Sequence, residues 1–132
     1  MKKILMVTLT LMLSLFAINN EAYAQNGKQA KIEAEVTEHD FGTIKESDGN
    51  VSYIFEVKNA GSAPLVITRV MSSCGCTTPS FSREPIAPGK TGQVTVTYNP
   101  KGRVYPFVKT ISVYSNGKEG PLVLTIKGEV VD

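Results

Sequence analysis

Along much of the chain, apolar residues recur at every second position. Val51, Tyr53, Phe55 and Val57 alternate with Ser52, Glu56 and Lys58, and Ile54 alone breaks the period. Val94, Val96 and Tyr98 alternate with Thr95 and Thr97, and Leu122, Leu124 and Ile126 repeat the pattern near the end. A period of two belongs to a strand with one face against a core, because successive side chains point to opposite faces of a sheet. Leu65 to Val70 is a continuous run with β-branched members, too short for a helix and bounded by Pro64, and it reads as a central strand. Phe107, Ile111 and Val113 share one parity that Lys109 interrupts, which predicts a strand bulged or less buried at its start.

Turn signals separate these runs: Asp48-Gly49, Asn59-Ala60-Gly61, Ala87-Pro88-Gly89, Asn99-Pro100-Lys101-Gly102 and Asn116-Gly117. Each offers a glycine that tolerates positive φ or a proline that fixes the corner. Six strands follow, near residues 31–37, 50–59, 65–71, 91–99, 106–115 and 121–131, with a short seventh around 41–44 or 78–81. No apolar period of 3.6 persists after residue 25, which argues against helices packed between strands. The predicted class is all-β, an immunoglobulin-like β-sandwich of about seven strands. It is not of the antibody type, since the chain has no tryptophan and Cys74 and Cys76 are too close in sequence to join two sheets.

The first residues change the compartment. Lys2 and Lys3 precede an apolar or hydroxyl run from Ile4 to Ile18, and Ala22-Tyr23-Ala24 supplies a small-x-small cleavage pattern. Residues 1–24 therefore read as a removed signal peptide, the run being shorter than the roughly 20 apolar residues a bilayer demands. No cysteine follows the cut, so no lipid anchor is expected there, and the location is periplasmic or secreted. What remains is a loose arm at 25–30 and a single domain at 31–132, enough chain for one core. Without Lys2, Lys3 and Glu21 the net charge falls from +2 to about +1, which leaves no nucleic-acid footprint and no polybasic membrane patch.

Several segments in order resemble a known family: His39-Asp40-Phe41-Gly42-Thr43-Ile44, Phe55 with Asn59 and Gly61, Pro64-Leu65 with Ile67, Ser73-Cys74-Gly75-Cys76-Thr77, Pro85-Ile86 with Pro88-Gly89, and Ser115-Asn116. Together they are similar to the bacterial domain of unknown function 1573, over about Glu38 to Val130. The resemblance implies an exported immunoglobulin-like sandwich related to Hydin-type and major-sperm-protein-type domains, which mostly act as non-catalytic interaction modules. It places Cys74, Gly75, Cys76 and Thr77 on the family signature, and Gly61, Pro88 and Gly89 on its turns. Tyr105 departs from it, standing where a glycine is expected and offering an exposed aromatic contact instead.

The two cysteines are the candidate chemistry. An exported chain meets oxidising conditions, so Cys74 and Cys76 are a disulfide candidate. Closing so small a loop is worth only about 1.6 kcal/mol in chain entropy. In an extended strand the Cα atoms would lie roughly 6.6–7 Å apart, at the edge of disulfide geometry, so the backbone must bend, with Gly75 as the residue that permits it. A brace, a thiol-disulfide exchange centre and a copper(I) clip with Met71 all remain open. Zinc is disfavoured, because Cys74, Cys76 and His39 supply at most three of four ligands.

No nucleophile accompanies His39, whose strand neighbours Glu38 and Asp40 face away from it, and Ser72 and Ser73 lack a nucleophile-elbow context. No catalytic residue and no resident cofactor are assigned. Tyr105, Phe107 and Tyr114 are a weak candidate for a carbohydrate platform. The expected function is a non-catalytic envelope module that binds another protein or other macromolecule through sheet edges or loops.

Overall fold

A computed structural model describes residues 27–132, and the signal-peptide reading of 1–24 lies outside them. Among the described residues eight strands form: β1 (Ile32–Glu33), β2 (Glu38–Lys45), β3 (Val51–Asn59), β4 (Ile67–Ser72), β5 (Thr77–Phe81), β6 (Thr91–Tyr98), β7 (Pro106–Ser115) and β8 (Leu122–Val131). They make two four-stranded sheets, ordered β1-β3-β6-β5 and β2-β8-β7-β4. All pairings are antiparallel except β2 with β8, which is parallel. The two-sheet, all-β architecture is the sandwich expected from the alternation.

The alternating residues supply the core. Phe55, Val57, Val94, Val96 and Tyr98 from one sheet meet Ile111, Val113, Leu124, Ile126 and Val130 from the other, all essentially without solvent exposure. Full burial of each such side chain contributes about 1.5–3 kcal/mol, which holds the sheets face to face. Ile54, the residue out of period, points outward and is 54% exposed.

The expected strand 31–37 is instead broken in two. After Glu33 the chain leaves β3 and crosses to the other sheet, where the Thr125 amide donates to the Thr37 carbonyl at 2.8 Å. The first strand thus serves both sheets. Both positions proposed for a seventh strand form, as β2 and β5.

Two further readings need correction. β4 is an edge strand rather than a central one, because Leu65 leaves the sheet to make an isolated bridge with Ile86, where it is wholly buried. That loop contact accounts for the apolar run. β7 pairs with β8 without a break from Pro106 to Val113, and Lys109 sits half-buried at an inward position; the bulges lie in β2, between Asp40 and Thr43, and in β4, between Ile67 and Arg69. Gly42, with φ 68, occupies the β2 bulge.

Residues 29 and 30, read as part of a loose arm, are fixed. Ser62 and Ala63 amides both donate to the Gln29 carbonyl, and Ala30 is buried.

Candidate functional site

Because β3 and β6 run antiparallel, Val51, Tyr98 and Thr77 share one pole of the sandwich, and Asn59 and Thr91 share the other. The cysteine motif lies at the first pole. There the chain leaves β4 at Ser72 in one sheet and joins β5 at Thr77 in the other.

Cys74 and Cys76 form a disulfide with Cα atoms 5.2 Å apart, so the backbone is bent well short of an extended spacing. Gly75 is exposed at the bend, is not among the positive-φ glycines, and has nothing within 4 Å of where a Cβ would stand. The bend therefore does not depend on glycine, contrary to the expectation from sequence. Hydrogen bonds hold it. Ser72 Oγ donates to the Cys74 carbonyl at 3.0 Å and accepts from the Cys74 amide at 3.2 Å. The Cys76 amide donates to Cys74 Sγ at 3.1 Å, and the Thr77 amide to the Cys74 carbonyl at 3.2 Å.

The loop is also tied to both sheets. The Ser73 amide donates to the Thr110 carbonyl at 3.0 Å, and Ser73 Oγ accepts from the Thr110 amide at 3.1 Å. On the other side the Asn99 amide donates to the Cys76 carbonyl at 2.9 Å. Cys76 and Thr77 are buried, with Cys76 Sγ 3.7 Å from Thr77 Oγ1, while Cys74 is half-buried. Ser72 and Ser73, which in sequence lacked the context of a nucleophile, are engaged in holding backbone.

Met71 does not fill the core. It is 48% exposed on the outer face of its sheet, while Val70 packs inward and Cys76 lies in the core. Both cysteine sulfurs are bonded to each other, so neither is a thiolate in this state. His39 stacks on Tyr53, with ring centroids 3.7 Å apart, and meets Phe41 edge-on. Its neighbours turn elsewhere: Glu38 pairs with Lys127 at 2.6 Å and Asp40 Oδ1 accepts from the Gly42 amide. That ion pair holds the exposed Lys127 ammonium above its ordinary pKa, first through the Glu38 hydrogen bond and then through its charge. Among the described residues no three His, Cys, Asp or Glu side chains gather at one point.

Tyr98 lies beneath the cysteine pole. It is fully buried and stacked on Phe107 at 3.9 Å, and its hydroxyl has no hydrogen-bond partner among the described residues. Burial pushes its pKa upward, Tyr105 adds to the shift and Arg103 opposes it. Tyr105 is 46% exposed, and its turn closes without positive φ through its amide and the Arg103 carbonyl. The aromatic platform does not form, since Phe107 is buried and Tyr114 lies near the far end of β7 under Arg69, whose guanidinium sits 4.5 Å from the ring centroid.

The opposite pole has a hub that sequence reading took only for a turn. Asn59 is fully buried; its Nδ2 donates to the Ala63 and Ile86 carbonyls at 2.8 and 2.9 Å, and its Oδ1 accepts from the Gly61 amide at 2.9 Å and the Lys31 amide at 3.4 Å. Gly61 passes so close to the backbone of Gln29 to Lys31 that no Cβ fits. Asn116 plays a similar part, accepting from the Val66 amide and donating to the Pro64 carbonyl. The pairing of a buried asparagine with a glycine two positions on was the available signal.

Solved structures with this fold come from different sources. A protein of unknown function from Porphyromonas gingivalis W83 aligns with a TM-score of 0.67 and 20% identity, over 77% of this chain and 47% of that one. The chain thus spans about half of that relative. The ASH / PapD-like domain 7 of human CEP192 aligns with a TM-score of 0.64 and 13% identity, over 79% and 87% of the two chains. The secreted serine protease VesC from Vibrio cholerae aligns at 0.55 and 14%, over 87% of this chain and 26% of its own. At these identities the likeness is one of fold, immunoglobulin-like and PapD-like. No curated protein sequence matches the chain. Residues 32–130, from the first paired strand almost to the end of the last, match the family described as Protein of unknown function (DUF1573), and the chain belongs to that family.

Proposed function

We propose that this protein is a non-catalytic interaction module exported to the bacterial cell envelope, and that its cysteine pole presents the bent loop at residues 73–76 to a macromolecular partner. The observation that carries this reading is how the polar groups of the loop are used. Ser72, Ser73 and both sulfurs are committed to holding its shape, while Gly75 stands exposed at the tip. Export is supported by the leader pattern and by an oxidised cysteine pair.

Fractionation and N-terminal sequencing test the first half: the mature chain begins at Gln25 outside the cytoplasm, whereas an uncleaved cytoplasmic chain argues against export. A photo-crosslinking residue at Gly75 or at Ala60 tests the second. Crosslinks to an envelope component arise from position 75 and not from 60; equal yields at the two positions would remove the loop from consideration.

The half-buried Cys74 supports a second reading, thiol-disulfide exchange or copper(I) binding. An external thiolate attacking Cys74 Sγ would form a mixed disulfide and release Cys76 as a thiolate. Cys76 is buried, and burial disfavours the charged leaving group, so the brace is the better supported role. Intact-mass measurement after reductant, alkylating agent and copper(I) separates the two: protection of reduced thiols by copper(I), or rapid mixed-disulfide formation, would favour the chemical reading.

A further inference from the structure

We infer that the open edge of β3, from Ser52 to Glu56, is a docking site at which an extended basic segment of a partner protein joins the sheet as an added strand. Among the described residues β1 pairs only with Asn59 and Lys58, and from Val57 back to Val51 β3 has β6 as its sole ladder neighbour. The direction of its free groups follows from parity. Asn59 exchanges backbone bonds with Lys90 and Gly89 on the β6 side, and the Ala60 amide donates to Lys31 on the β1 side. Even-numbered residues therefore turn N–H and C=O toward β1, and beyond its end those of Ser52, Ile54 and Glu56 face the open edge.

Sheet edges in native proteins are usually blunted by bulges, prolines or lysines. The other three edges here are. β2 breaks register at Gly42, β4 breaks it between Ile67 and Arg69, and β5 carries Pro79. The β3 edge has an unbroken ladder behind it and the exposed Ile54 at its centre.

The crossover after Glu33 leaves a groove of about 720 Å³ beside this edge, lined on one side by Glu33, Glu35 and Val36 and on the other by Tyr53, Ile54 and Glu56. Three carboxylates against Lys58 make it acidic. An added strand alternates faces, so its inward residues meet Tyr53 and Val36 and its outward residues meet Ile54 and Glu56. Alternating apolar and basic residues satisfy both. The site lies at the opposite edge of the sheet from β5 and does not rest on the cysteine-loop reading.

The test titrates the protein with a blocked peptide of roughly six residues alternating lysine and valine, and with a glutamate-valine counterpart, while amide exchange is followed by NMR. The lysine peptide slows exchange at Ser52, Ile54 and Glu56 by about tenfold, and added salt weakens the effect. Ile54→Pro deletes an edge donor that β6 does not use, and abolishes protection in a protein whose circular dichroism is unchanged. Should that variant unfold, Glu56→Lys serves instead and shifts preference toward the glutamate peptide. Protection elsewhere, equal protection by both peptides, no protection, or concentration-dependent protection without peptide, which would assign the edge to a second copy, each overturns the proposal.

Discussion

The two poles of the sandwich are held by different means. At the asparagine pole one buried side chain makes four hydrogen bonds to backbone groups from three parts of the chain, and every polar atom of that side chain is used. At the cysteine pole a covalent bond spans two residues, and the largest buried side chain nearby, Tyr98, keeps a hydroxyl unpartnered among the described residues. A buried polar group contributes when it is paired and costs when it is not, so the weaker-looking amide hub stabilises more than the covalent link.

The sharpest way to break this comparison is Asn59→Ala. It strands the Gly61 amide and the Ala63 carbonyl and leaves the Ile86 carbonyl with the Leu65 amide alone, and the expected loss is about 3 kcal/mol in denaturant unfolding. A loss below that of the disulfide would reverse the ranking. Replacing Cys74 and Cys76 together with alanine removes a very short loop constraint, and about 1.6 kcal/mol is expected from loop closure. Reduction of the wild-type chain gives the same loss without changing side-chain volume.

Tyr98→Phe works in the opposite direction. Deleting a buried hydroxyl with no partner among the described residues is expected to leave stability unchanged or raise it by about 1 kcal/mol. The same substitution carries a pH signature. The folded state holds the Tyr98 proton more tightly than the unfolded chain, so this contribution is fully present below the ordinary pKa of 10.0 and is lost as pH rises above it. A denaturation series across that window shows a decline in wild type that is smaller in Tyr98→Phe. The smallest effect belongs to Gly75→Ala, within about 0.5 kcal/mol, because the site has room and an ordinary backbone. A large loss there would restore the glycine-dependent bend.

The strands around Phe55, Val96 and Leu124 were legible because each lies between one core and solvent, so burial writes a period of two directly into sequence. The first strand was not. Ala34, Glu35 and Val36 continue the alternation of Ile32 and Glu33, and nothing local reports that the chain has changed sheets. β4 was misplaced for a related reason: Leu65 is apolar because of Ile86, a partner across a loop, rather than because of neighbours on both sides. The cysteine pair was foreseeable from the leader pattern and the spacing, whereas its scaffold of Ser72, Ser73 and Thr110 is set by long-range register. Asn59 looks like any turn asparagine until Lys31 and Ile86 are brought to it from distant positions.

The parallel pairing of β2 with β8 gives the domain a mechanical direction. Its first long strand and its last lie side by side and point the same way, from Glu38 beside Thr125 to Lys45 beside Val131. A pull on the two chain ends is met first by Gln29 and β1, held to Ser62, Ala63 and β3; once those give way it would slide β2 past β8 and load their hydrogen bonds together, whereas a hairpin pulled apart at its open end loses them one at a time. Beyond that first release, tension would be borne along the length of one ladder.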